Sequence, residues 1–236
     1  MVNTFLVHTN FHESAKLLDQ RRLPNQRREA YQILNNVHRL KAMGKFLNHP
    51  IPNNPYLWYN WIRRIIKYYQ QYTNQTKTYL VRIDDQWHWI PNHQTIIIGP
   101  HDLTIKLGYI YHPAVLMWLG FEDALKEYLD AHIAVTIARG IKNNMDRYTI
   151  KNAIRPPWTY DPDFIDRHRM VLLKKELDRN EPPWYQLMDT FTNKCAPSVY
   201  YWPYTPTIGN SAKIQGEDDS MRKYMCRKKI QITVNK

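Results

Sequence analysis

The sequence predicts a mainly α protein that carries a small antiparallel β-sheet, α+β overall. Three observations predict it. Apolar residues recur at three- and four-residue steps over about 24–43 and again from Pro113 onward, the repeat of a helix with one buried face. Between those stretches, residues 78–110 switch to β-type composition. Proline-rich breaks such as HPIPNNP at 49–55 separate the segments and forbid helix where they fall.

In chain order, a short helix is expected around 14–18, with Ser14 as its cap and Ala15, Leu17 and Leu18 on its apolar side. Pro24 suits a first helical turn. Ala30, Ile33, Leu34, Val37 and Leu40 then form a stripe, with Gly44 as the expected stop. Arg28, Gln32, Asn35 and Arg39 lie on the opposite side, and Glu29 lies at the border between the two faces. YLWYNWIRRIIKYYQQY at 56–72 reads as an aromatic helix. TYLVRI, WHWI, TIIIG and LTIKLGYIY read as a sheet of two to four strands. Helix returns at Pro113, where Trp118, Phe121, Leu125, Tyr128, His132 and Val135 recur and Gly140 follows as a stop. Further helices are expected at about 163–177 and, briefly, at 182–191. The tail from about 206 is polar and ends in a basic run.

Composition narrows the function. The chain has 236 residues, 33 Lys+Arg against 21 Asp+Glu, and a net charge of +12. Such an excess serves either solubility or a polyanionic partner, to which lysine and arginine bind with release of counterions from phosphates. The 17 Tyr and 8 Trp suit stacking on bases. Only 7 Gly are present, with neither G-x-G-x-x-G nor G-x-x-x-x-G-K, which disfavours a Rossmann enzyme or a P-loop NTPase. Two distant cysteines exclude a disulfide framework or a cysteine zinc site. No signal peptide and no membrane span are read.

The densest chemistry is RRLPNQRRE at 21–29, where Arg21, Arg22, Arg27 and Arg28 accompany the single carboxylate Glu29. A helix start lined with arginines positions phosphates, and a carboxylate there moves protons or stabilises a cation developing on a sugar. The alternative is ordinary ion pairing along a helix surface. Among ten histidines, His8 and His12 share i,i+4 spacing without a carboxylate companion, so no metal is expected. No G-x-S-x-G context supports a serine triad.

Three segments together resemble the pyrimidine dimer DNA glycosylases of the phage endonuclease V type: NTFL with SAKLLDQRRLPNQRREAYQIL (3–34), HPAVLMWLGFEDALKEY (112–128) with Arg139-Gly140, and HRMVLLKK with PPWYQLMDTF (168–191). The family's block around its His-Pro pair is split here between His49-Pro50 and His112-Pro113. The resemblance therefore implies a compact helical glycosylase-like domain over 1–49 and 112–205, an inserted helix plus small sheet over 50–111, and a basic tail over 206–236. It implies double-stranded DNA as partner and no cofactor. The implied reaction is removal of a pyrimidine-dimer base and cleavage at the abasic site through an imine formed by a free α-amine. In this chain the α-amine would be that of Val2 after loss of Met1, and Glu29 is the assisting glutamate. Gln20, Arg21, Arg22, Arg27, Arg28, Trp184 and Tyr185 are the implied DNA contacts. Gln32 stands where the family carries an arginine. The insertion is expected to offer a surface for a protein partner.

A second reading is a catalytically inactive descendant, a DNA-binding or virion-associated structural protein. The Asn/Ile/Lys/Tyr-rich composition points to an AT-rich source such as a large DNA virus. A third is an assembly protein independent of nucleic acid. The expected location is inside the cell, in cytoplasm or nucleus, or packaged in a particle.

Overall fold

The computed structural model describes residues 4–76, 78–83, 86–91, 110, 112–150 and 152–177. Helices α1 (Phe11–Lys16), α2 (Arg22–Phe46), α3 (Trp58–Thr76), α4 (Pro113–Trp118), α5 (Glu122–Ala138) and α6 (Pro162–Leu177) account for most of them. Short 3-10 turns at Pro55–Leu57 and Pro157–Tyr160 lead into α3 and α6. The chain divides into two compact units, Tyr31–Glu122 on one side and Asn3–Ala30 with Asp123–Trp202 on the other.

The α+β class is corrected by this architecture, because the described cores are built from helices. Mainly α fits, but the small sheet is not borne out as part of the fold: among the described residues strand is confined to one two-stranded ribbon, β1 (Thr78–Ile83) antiparallel to β2 (Gln86–Pro91). Two strands alone form no packing layer, since three strands or a covering helix are needed for that. Alternation in the sequence signals extended backbone without saying how many partners each strand finds. TIIIG and most of LTIKLGYIY lie outside the described residues, as do the expected helix at 182–191 and the tail.

The caps differ from expectation in instructive ways. Asn10, not Ser14, opens α1, its side chain accepting from the amides of His12 and Glu13 at 2.9 and 3.1 Å. Gly44 lies inside α2. The helix ends at Asn48, whose φ is 54°, where the Asn48 amide bonds the Lys45 carbonyl and the His49 amide bonds the Gly44 carbonyl. This paired arrangement satisfies the last carbonyls, and asparagine tolerates the left-handed backbone it requires. Gly44 serves packing instead: a Cβ there would sit 2.8 Å from both the His49 carbonyl oxygen and the Trp61 ring. The helix expected from Pro113 is broken into α4 and α5, with Gly120 at φ 80° between them. Gly140, φ 69°, ends α5 as the sequence implies, with the Ile141 amide bonded to the Thr136 carbonyl.

In the unit Tyr31–Glu122 the stripe of α2 is fully buried, with Trp58, Trp61, Ile62, Ile65, Ile66 and Tyr69 of α3. Phe46 meets Tyr72 edge-on and Trp58 meets Phe121. In the other unit Phe5, Val7, Ala15, Leu18, Leu23, Val135, Val171 and Leu172 share one apolar cluster.

Candidate active site

The site begins with residues 4–7, buried backbone that belongs to no helix or strand. Buried amides need partners, and here side chains from three directions supply them. The Phe5 amide donates to Gln26 Oε1 at 2.6 Å, the Leu6 amide to His168 Nδ1 at 3.0 Å, and the Val7 amide to Ser14 Oγ at 3.0 Å. The Phe5 carbonyl accepts from the Tyr128 hydroxyl at 2.8 Å, and the Val7 carbonyl from Arg169 Nε at 2.8 Å. Arg169 is held in turn by Asp166 at 2.9 Å, an ion pair almost wholly excluded from water. Five side chains thus hold three consecutive residues, Phe5, Leu6 and Val7.

The start of α2 lies directly against this segment. Asp19 Oδ1 accepts from the amides of Arg21 and Arg22 at 2.8 and 2.7 Å, capping the helix, while its other oxygen pairs with the Arg22 guanidinium. Gln26 is buried, one turn before Glu29. Its Nε2 donates to Glu29 Oε2 at 3.3 Å, while its oxygen holds Phe5. Glu29 is half-buried, so one glutamine links the chain's first described residues to a carboxylate at the edge of solvent.

The other residues singled out in the sequence separate into two groups. Arg22 and Arg27 are buried; Arg27 donates to Asn143 Oδ1. Gln20, Arg21 and Arg28 are exposed, and Arg28 bonds Asn25 Oδ1 on the same helix. Arg28 is thus an exposed arginine next in sequence to Glu29. Val2, Trp184 and Tyr185 lie outside the described residues.

Burial and charge set the protonation of the surroundings. Burial pushes the Tyr128 phenol well above its ordinary range, and the charge of Glu29 adds to the effect, so this hydroxyl stays a donor. Desolvation lowers Arg27, helped by the neighbouring Arg28 charge. Burial lowers His168 to about 3, with Lys175 contributing, and its Nδ1 remains free to accept from Leu6. His132 is lowered to about 4 by burial and donates through Nδ1 to the Tyr128 carbonyl at 2.7 Å.

Sequence reasoning missed Gln26, Tyr128, His168 and Arg169, the groups that build the site's frame. Only Gln26 carried a signal, its i,i+3 spacing to Glu29. The contacts of the other three span more than a hundred residues. Among the described residues no cluster of His, Cys, Asp or Glu is assembled to hold a metal ion. No described helix is long and apolar enough to cross a membrane.

The sequence model of one family, described as pyrimidine dimer DNA glycosylase, matches residues 2–149. No curated protein and no solved structure matches the chain. The match takes in the anchored residues 4–7, all of α1 and α2 with Glu29, and Tyr128 on α5. It covers more than half of the sequence: the chain belongs to the pyrimidine dimer DNA glycosylase family, whose function is DNA repair and whose substrate is DNA.

Proposed function

We propose that the chain removes a pyrimidine-dimer base from duplex DNA and then cleaves at the resulting abasic site, with its own α-amine as nucleophile and Glu29 as the proton-handling group. The neutral amine of Val2 attacks C1′ of the deoxyribose. The new N–C1′ bond replaces the glycosidic bond, whose electron pair leaves with the base. Loss of the amine's protons and opening of the sugar ring give an imine, and removal of a C2′ proton then expels the 3′ phosphate. Glu29 accepts and returns protons in this sequence. An α-amine titrates near ~8, so part of it is neutral at physiological pH.

The observation that carries this reading is the shared glutamine, since Gln26 holds the Phe5 amide at 2.6 Å and Glu29 at 3.3 Å. Val2 precedes Phe5 by three residues, a covalent tether of at most roughly 11 Å. Arg28 beside Glu29 supplies the positive charge that a flanking phosphate needs. The test is incubation with dimer-containing duplex under borohydride, which reduces an imine to a stable adduct. Wild type is expected to give a covalent protein–DNA species and Glu29→Gln to lose it together with strand cleavage. Absence of adduct with wild type, while a control enzyme is trapped, overturns the reading.

A further inference from the structure

A second feature belongs to the unit Tyr31–Glu122. From residue 30 to residue 83 the chain contains no Asp or Glu, against eight Lys or Arg. Within this stretch Lys41 reaches beyond it to pair with Glu122 at 3.1 Å. Helix α3 concentrates the cations. Its apolar face, Trp58, Ile62, Ile65, Ile66 and Tyr69, is buried, while Arg63, Arg64 and Lys67 stand exposed on the other side. No described carboxylate pairs with these three. With Tyr68 and Gln70 they line an open recess of about 480 Å³. Arg63 lies 6.0 Å over the Tyr59 ring, and Tyr68 stacks on His49 with ring centroids 5.2 Å apart, so aromatic surfaces border the charge. Three cations elsewhere are paired with carboxylates: Lys16 with Glu13, Lys126 with Asp123 and Arg147 with Asp130.

We propose that the Arg63–Arg64–Lys67 face of α3 is a second DNA contact that grips the phosphate backbone independently of sequence and of the lesion. The partner is chosen by charge complementarity. Cations that no described carboxylate pairs with, spread over one helical turn of about 6 Å along the axis, meet a regular row of phosphates, and polyanion binding gains from counterion release. The family's substrate is DNA, so this polyanion is the one the chain encounters. A protein partner for this segment is the competing occupant. An acid-free face with three cations would need an acidic partner, and it would then leave DNA affinity untouched.

The test compares full-length wild type, Arg63→Gln/Arg64→Gln/Lys67→Gln, and the charge-retaining Arg63→Lys/Arg64→Lys, all titrated with undamaged and dimer-containing duplex over a range of salt. Loss of three phosphate contacts is expected to reduce the slope of log K against log salt by about 2–3. Damaged and undamaged DNA should weaken alike, and the lysine variant should keep the wild-type slope. Circular dichroism and melting temperature should match wild type, since the three side chains are exposed. An unchanged slope in the glutamine variant overturns the proposal and assigns the face to another partner. Equal loss in the lysine variant also overturns it, because charge would then not be the cause. If wild type forms no borohydride adduct but retains the steep slope and its dependence on these residues, the catalytic reading fails and this one stands.

Discussion

The two units distribute polar chemistry in opposite ways. In the unit of Asn3–Ala30 and Asp123–Trp202, Arg22, Gln26, Arg27, His132, Asp166, His168 and Arg169 are all buried. In the unit Tyr31–Glu122 the buried set is apolar apart from Asn36 and Thr73, and Arg63, Arg64 and Lys67 stand exposed. Burying a polar group costs free energy unless a directed bond compensates. The first unit accepts that cost and obtains fixed positions for residues 4–7 and Glu29. The second relies mainly on apolar packing, with Trp58 and Trp61 donating to the Pro52 and His49 carbonyls and Lys41 pairing with Glu122. The difference teaches where geometry is being specified: around the start of the chain.

The largest expected effect tests that specification directly. Glu29→Gln is expected to lower the rate of lesion cleavage by about 10²–10⁴, the usual range for a general acid–base group, with the melting temperature unchanged. Full activity in that variant would remove the special status of the polar unit.

Next comes pH. His132 and His168 have folded pKa values of about 4 and about 3, below an ordinary histidine. As pH falls below roughly 6.5 the unfolded chain binds protons that the fold refuses. Stability from these groups is therefore complete above that pH and is lost through the window down to about 4 and about 3. Each group contributes a slope of up to about 1.4 kcal/mol per pH unit within it. Urea denaturation at successive pH values measures this, and a flat profile between pH 6.5 and 5 contradicts the buried-imidazole account.

Gly44→Ala probes the apolar-packed unit. The new methyl would meet backbone at His49 and the Trp61 ring at 2.8 Å, an overpacking expected to cost about 1–3 kcal/mol and several degrees of melting temperature. Cleavage per folded molecule should not change, and selective loss of activity would break the separation between the units. The smallest effect is expected at Asn48, φ 54°. Asn48→Ala should cost about 1 kcal/mol, whereas Asn48→Gly should match wild type in thermal melts.

Much of this was legible in the sequence because it was local. The stripe of α2, the aromatic α3, the stop at Gly140 and the border position of Glu29 all follow from residues within a few turns of one another. The end of α2 was misplaced because glycine is the commoner stop. Gly44 is there to admit Trp61, a contact invisible to local pattern, and asparagine took the left-handed position instead. Breakage at Gly120 was hidden by apolar residues that keep helical spacing across it. The anchoring of residues 4–7 by Tyr128, His168 and Arg169 has no local signal, since its partners come from α5 and α6.

The central claim is that the reacting amine is the one at the start of the chain. The direct measurement is mass spectrometry of the borohydride-trapped adduct after proteolysis, which locates the deoxyribose on one peptide. The account predicts it on the peptide beginning at Val2, at the α-nitrogen. Attachment to a lysine, such as Lys175, whose Nζ lies 4.9 Å from the centroid of the Phe5 ring, would contradict it.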